Sequence, residues 1–145
     1  MKKFKTLRDL KKMGATPEEL AYARKFSSLA EAWDACKRAD WLMSILVFGE
    51  MLDKPTALRL AIAFANRTPT RMCSLWVARV AAAGCDSDAA GDAWAASYAS
   101  AHSVVYARSR DFDHDLFAAE MRWQAGKIKE IVRNPFQDSS SNRRR

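Results

Sequence analysis

Chain breakers are scarce: 145 residues hold five glycines and four prolines, so long stretches run without a residue that interrupts a helix. Cysteine is scarce too. Cys36, Cys73 and Cys85 are odd in number and show no CxxC spacing, which argues against a disulfide framework or a Cys-rich zinc site and predicts reduced, buried thiols. Long apolar runs are missing. The longest uncharged stretches, Trp41–Gly49 and Ala93–Ala107, fall short of the roughly 18–20 residues that cross a bilayer. The opening MKKFKTLRDLKK is basic but has no continuous apolar core, so no signal peptide is expected and the cytoplasm is the expected compartment. No Gly-rich phosphate loop, HExxH, GxSxG or EF-hand pattern occurs, and neither a catalytic site, a metal site nor a cofactor is expected.

What is abundant is alanine and regular apolar spacing. With 49% hydrophobic and 28% charged residues, the composition is that of a globular domain rather than a disordered chain. The length suits one core. The expectation is an all-α fold: a single compact bundle of about seven or eight helices over residues 1–136, with 137–145 as a disordered basic tail.

The punctuation places the helices. Phe4, Leu7, Leu10 and Met13 recur at helical spacing and stop at Gly14. Thr16-Pro17-Glu18-Glu19 and Ser28-Leu29-Ala30-Glu31 each read as a capping box, opening helices at Pro17 (to about Phe26) and near Leu29. Asp40 reads as the N-cap of an all-round apolar helix, WLMSILVFGEML, that Asp53-Lys54-Pro55 breaks. A fifth helix begins at Pro55, with Leu58, Ile62 and Ala65 on one face and Leu60 and Phe64 on another. A sixth begins at Thr68-Pro69, with Met72, Trp76 and Val80 in line. From Asp88 to about Ser109, Ala89, Ala93, Ala96, Ser100, Ser103 and Ala107 form a seam of small residues, which lets another backbone approach closely. Beside it runs a stripe of Trp94, Tyr98, Ala101 and Val105. The last helix, to about Arg133, carries Phe117, Met121, Ala125, Ile128 and Val132, and Asn134-Pro135 ends it.

Charge is uneven. Residues 1–26 carry eight Lys/Arg against three acids, a net of +5; residues 122–145 carry seven against two, again +5; the middle carries nine against twelve, a net of −3. Lys2, Lys3, Lys5, Arg8, Lys11 and Lys12 in the first helix, and Arg122, Lys127, Lys129, Arg133 and Arg143–Arg145 at the other end, are candidates for contact with phosphates or an acidic protein. Solvation of two outer helices explains them equally well. Of five tryptophans, Trp33, Trp41, Trp76 and Trp94 fall on apolar stripes and read as core. Trp123, off the stripe of the last helix, reads as an exposed anchor for a partner. Asp111, Asp113, His114 and Asp115 offer oxygen and nitrogen ligands to a metal such as Mg²⁺ or Zn²⁺, but contiguous residues point apart and the acids suit the start of a helix. His102 reads as a partly buried structural histidine.

Two segments carry a resemblance. AEAWDACKRADWLMSIL (residues 30–46) and AAEMRWQAGKIKEIVRNPF (residues 118–136) resemble the W-x-A-C-x-x-A-D-W-L and closing W-Q…E-I-x-x-N-P-F signatures of alanine-rich helical proteins of bacteria and phages, some labelled putative immunity proteins. The resemblance spans about residues 29–136 and carries no catalytic residues. It implies a small non-enzymatic protein of a phage, mobile element or bacterial conflict system that inhibits or modulates a partner such as a defence nuclease complex or toxin. A protein partner is expected first and nucleic acid, through the basic ends, second. A metal-dependent hydrolase at the DFDHD segment is a third reading.

Overall fold

The computed structural model describes residues 5–137, so Phe4, Lys2, Lys3 and the expected tail beyond Gln137 lie outside the described residues. Within them the chain forms α1 (Leu7–Lys12), α2 (Pro17–Ala23), α3 (Leu29–Ala35), α4 (Ala39–Phe48), α5 (Lys54–Arg67), α6 (Arg71–Ala82), α7 (Asp86–Arg108) and α8 (His114–Ile131), and no strand among the described residues. No described helix is long and apolar enough to cross a membrane.

Most helices start where a short polar side chain satisfies a first-turn amide that the helix itself leaves unpaired. Thr16 accepts from the Glu19 N–H at 3.2 Å, Ser28 from Glu31 at 3.1 Å, and Asp53 from Thr56 at 2.9 Å. Thr6 and Asp9 complete a reciprocal capping box on α1. The turn after α1 needs φ of +97° at Gly14, a left-handed conformation that costs glycine little.

Four expected boundaries shift. The α6 cap is Thr70, whose hydroxyl accepts from the Cys73 N–H at 3.2 Å, not Thr68. Residue Arg38, not Asp40, precedes α4; Asp40 lies in the first turn and accepts two bonds from the Arg38 guanidinium. Helix α4 stops at Phe48 instead of continuing to Leu52, because the chain turns to bury Leu52 in the core. The turn places Glu50 at φ +53°, with the Met51 N–H bonded back to the Leu46 carbonyl. Helix α2 ends at Ala23, short of Phe26.

Helix α7 is the hub, packed by α4, α5, α6 and α8. The small seam is what admits them: Ala89, Ala93, Ala96 and Ser100 are all buried, and the Ser100 hydroxyl donates to the Phe64 carbonyl of α5 at 2.6 Å. Ala107, at the end of the seam, is exposed. On the α8 side, Gln124 donates from Nε2 to the Ser97 carbonyl at 3.0 Å and accepts from the Ser97 hydroxyl, so both groups are buried with their polar atoms paired. In α5 the two expected faces resolve into one buried face of Ala57, Leu60, Ala61 and Phe64, with Ile62 exposed. On α6, Cys73 and Val80 point inward while Met72 is exposed. Cys36 and Cys73 are buried, but Cys85 is exposed, contrary to expectation.

A second, smaller apolar cluster joins Leu10, Leu20, Ala23 and Leu29 of α1–α3. Ile45 and Phe136 pack against both clusters and tie the N-terminal helices to the main core.

Candidate binding groove

The structure disperses the residues singled out as partner-binding. Lys129 serves the fold: its ammonium donates to the Asp34 and Cys36 carbonyls at 2.9 and 2.8 Å, closing the C-terminal end of α3. Lys127 pairs with Glu130 at 2.9 Å. Trp123 is half-buried rather than a bare anchor. The Arg67 guanidinium lies 4.5 Å from its ring centre while donating to the buried Glu120 carboxylate, and Lys127 lies 5.6 Å from the same ring. Arg122 and Arg133 on α8, and Lys5, Arg8 and Lys12 at α1, are exposed and join no ion pair among the described residues.

The DFDHD segment does not converge either. Asp113 caps α8, accepting from the Asp115 and Leu116 N–H groups at 2.9 and 3.0 Å. Among the described residues no three His, Cys, Asp or Glu side chains stand close enough together to hold a metal. His102 is exposed, not partly buried, and its Nδ1 lies 2.8 Å from the Tyr98 carbonyl. Its ring packs with Tyr106, Phe112 and Phe117 at the α7–α8 corner, where aromatic faces cover one another.

The two segments that carry the resemblance clasp each other. Besides the Lys129 contacts, Asn134 donates to the Ala30 carbonyl and the Asp34 carboxylate, and Trp33 meets Phe136 edge-on at 6.3 Å. These signature residues therefore hold the end of α8 and the segment to Phe136 against α3.

A different set of residues forms the most site-like hollow. An open groove of about 370 Å³ lies between the α1–α2 turn, α4 and α7. Its ring walls are Trp41 and Phe48 of α4 and Trp94 and Tyr98 of α7, with Phe48 edge-on to Trp94 at 5.6 Å. Phe48 is 53% exposed and Tyr98 37% exposed, so the rings face solvent instead of filling the core. Trp41, expected in the core, stands half-buried at its rim, stacked under the Arg38 guanidinium at 4.2 Å.

Polar groups converge on the same groove. Arg38 binds Asp40 through two bonds, at 3.2 and 2.7 Å. The Glu19 carboxyl is raised above the ordinary glutamate range chiefly by burial; the Thr16 hydroxyl opposes the shift, the Asp40 charge adds to it and Arg38 works against it. A smaller apolar hollow of about 40 Å³, lined by Leu10, Tyr22, Leu42 and Phe136 among others, shares Glu19 and Trp41 with the groove. Tyr98 is likewise raised by burial, with Asp40 adding. The Trp94 indole offsets part of the Tyr98 shift, yet the two do not meet hydrogen-bond geometry, and buried Trp94 Nε1 has no acceptor among the described residues. Shape, aromatic walls and perturbed carboxyl and hydroxyl groups together are what a binding site offers. The wider hollow of about 650 Å³ at the α6–α7 turn has small residues such as Ala82, Gly84 and Gly91 along it and no ring.

No protein-family model, curated protein or solved structure matches the chain. Sequence reading missed the groove because it assigned Trp41 and Trp94 to the core. The available signal was the pair Trp94 and Tyr98, one helical turn apart on a stripe separate from the alanine seam. Both are rings with polar tips, suited to a partly wet surface.

Proposed function

We propose that this is a non-enzymatic binding protein of a phage, mobile element or bacterial conflict system that inhibits or modulates a macromolecular partner such as a defence nuclease complex or toxin. The observation that carries the reading is the groove: solvent-facing rings beside acids, held on helices that the buried core fixes in place. The resemblance of residues 30–46 and 118–136 to alanine-rich proteins, some labelled putative immunity proteins, supports it from the sequence side. The test is capture from bacterial lysate with the native chain and with Phe48→Arg, whose exposed position leaves folding intact. A stoichiometric protein held by the first and lost by the second is expected. Retention by Phe48→Arg together with loss on Arg122→Ser plus Arg133→Ser would move docking to α8. Absence of any stoichiometric protein would contradict the reading.

The exposed cations of α1 and α8 support a second reading, nucleic-acid binding through phosphates. Such binding is non-specific and falls steeply with salt, because each neutralised phosphate releases counterions. Binding to mixed-sequence DNA or RNA that survives physiological salt would favour it over the first.

A further inference from the structure

We infer that the groove takes an arginine- or lysine-bearing segment of a protein partner, the cationic side chain lying against Glu19 and the rings of Trp94 and Tyr98. This deepens the binding reading and rests on it.

Charge complementarity comes first. Glu18, Glu19 and Asp40 line the groove against Arg38 alone, so its lining carries a net −2 on a chain of net +7. A cationic side chain is therefore favoured on this lining, although the adjoining α1 is basic, and disfavoured beside the exposed Arg122 and Arg133 of α8. The molecule also shows how this surface holds a guanidinium. Arg38 lies over Trp41 at 4.2 Å and grips Asp40 with two bonds, combining ring and carboxylate in one contact.

The same combination stands unfilled a short way along the groove. Glu19 is half-buried and has no cation in ion-pair contact among the described residues. Burial already disfavours its charged form, so an incoming cation relieves a cost the fold carries. Exposed Tyr98 and half-buried Trp94 supply the rings.

The Trp94 indole N–H is buried and has no acceptor among the described residues, so it reports on occupancy of the groove through its ring rather than by bonding the ligand.

The experiment is an NMR titration of the ¹⁵N-labelled full chain, following the tryptophan indole N–H signals, with the blocked peptide Gly-Arg-Gly-Arg-Gly. Saturable movement of the Trp94 indole is expected, with Trp123 unmoved. Glu19→Gln is expected to weaken binding about tenfold, the size of one charge-assisted contact. That variant should fold. Because the Glu19 carboxyl is raised, the folded chain holds its proton more tightly than the unfolded chain does. Its ionised form therefore lowers stability at neutral pH, and glutamine removes that cost. No movement of Trp94 at millimolar peptide, equal movement with Glu in place of Arg, or unchanged affinity in Glu19→Gln would each overturn the inference. Equal saturation by spermine would replace the peptide with a small cation, and a dimer that Glu19→Gln dissolves would replace it with a second copy of this chain. If the peptide fails while Phe48→Arg still abolishes capture of a protein partner, this inference falls and the binding reading stands.

Discussion

Helices α5, α7 and α8 meet through polar groups that reach from one helix to another, whereas α1 and α2 are each closed by a hydroxyl at their own first turn. In the hub, Ser100 bonds the Phe64 carbonyl and Gln124 pairs with Ser97, so separating the helices leaves buried groups unpaired. In the N-terminal pair, Thr6 and Thr16 satisfy amides three residues away and a small cluster around Leu10 and Leu20 joins the helices, whereas α3 is bonded by Lys129 and Asn134 and buries Trp33 in the main core. Helices of six and seven residues are too short to persist alone. The comparison teaches that one region is held by long-range contacts that break together, and the other by local contacts that can be lost without the hub. The groove crosses the boundary between them, with Glu18 and Glu19 on α2 and Trp94 and Tyr98 on α7.

The largest test of the contrast is Phe64→Ala. The ring is fully buried at the centre of the hub, and its loss should cost about 3–5 kcal/mol by urea unfolding. A cost below about 1 kcal/mol would mean that α5 is not gripped as described. Next is Ala96→Leu, where added methylenes have no room in the buried seam. About 1–3 kcal/mol is expected from overpacking, although leucine is nearly as good a helix former as alanine. A neutral result would open the seam to solvent.

Thr16→Ala should cost about 1 kcal/mol, and the loss should be confined to α1 and α2. If the whole unfolding transition weakens by more than that, the two regions are one cooperative unit. Glu50→Gly is the smallest change and has the opposite sign. It relieves a left-handed residue at the end of α4 and should add about 0.5–1 kcal/mol, measurable as a raised Tm. A loss would show that Glu50 makes a contact beyond its backbone role.

The same contrast governs what was legible in the sequence. The starts of α2 and α3 could be read because Thr16 and Ser28 act within a single turn, and that of α5 because Pro55 sits in its first turn; the capping role of Asp53 was not read. The buried seam of α7 could be read because a run of Ala and Ser at helical spacing has one packing use. The end of α4 could not, since burial of Leu52 by distant helices decides it. Neither could the fate of Trp123 or Lys129, whose partners Arg67, Asp34 and Cys36 lie far along the chain. The groove was least legible of all. Glu19, Arg38, Trp41, Phe48 and Trp94 come from three separate segments, and neither the capping box around Glu19 nor the signature around Arg38 and Trp41 points to a groove.

Native-state hydrogen exchange tests the two-region account most directly, since it reports the opening free energy of each helix separately. The amides of α1 and α2 should exchange through an opening that leaves α5, α7 and α8 protected, and Thr16→Ala should lower that opening alone. Uniform protection across α1–α8, with Thr16→Ala lowering every helix equally, would contradict the account.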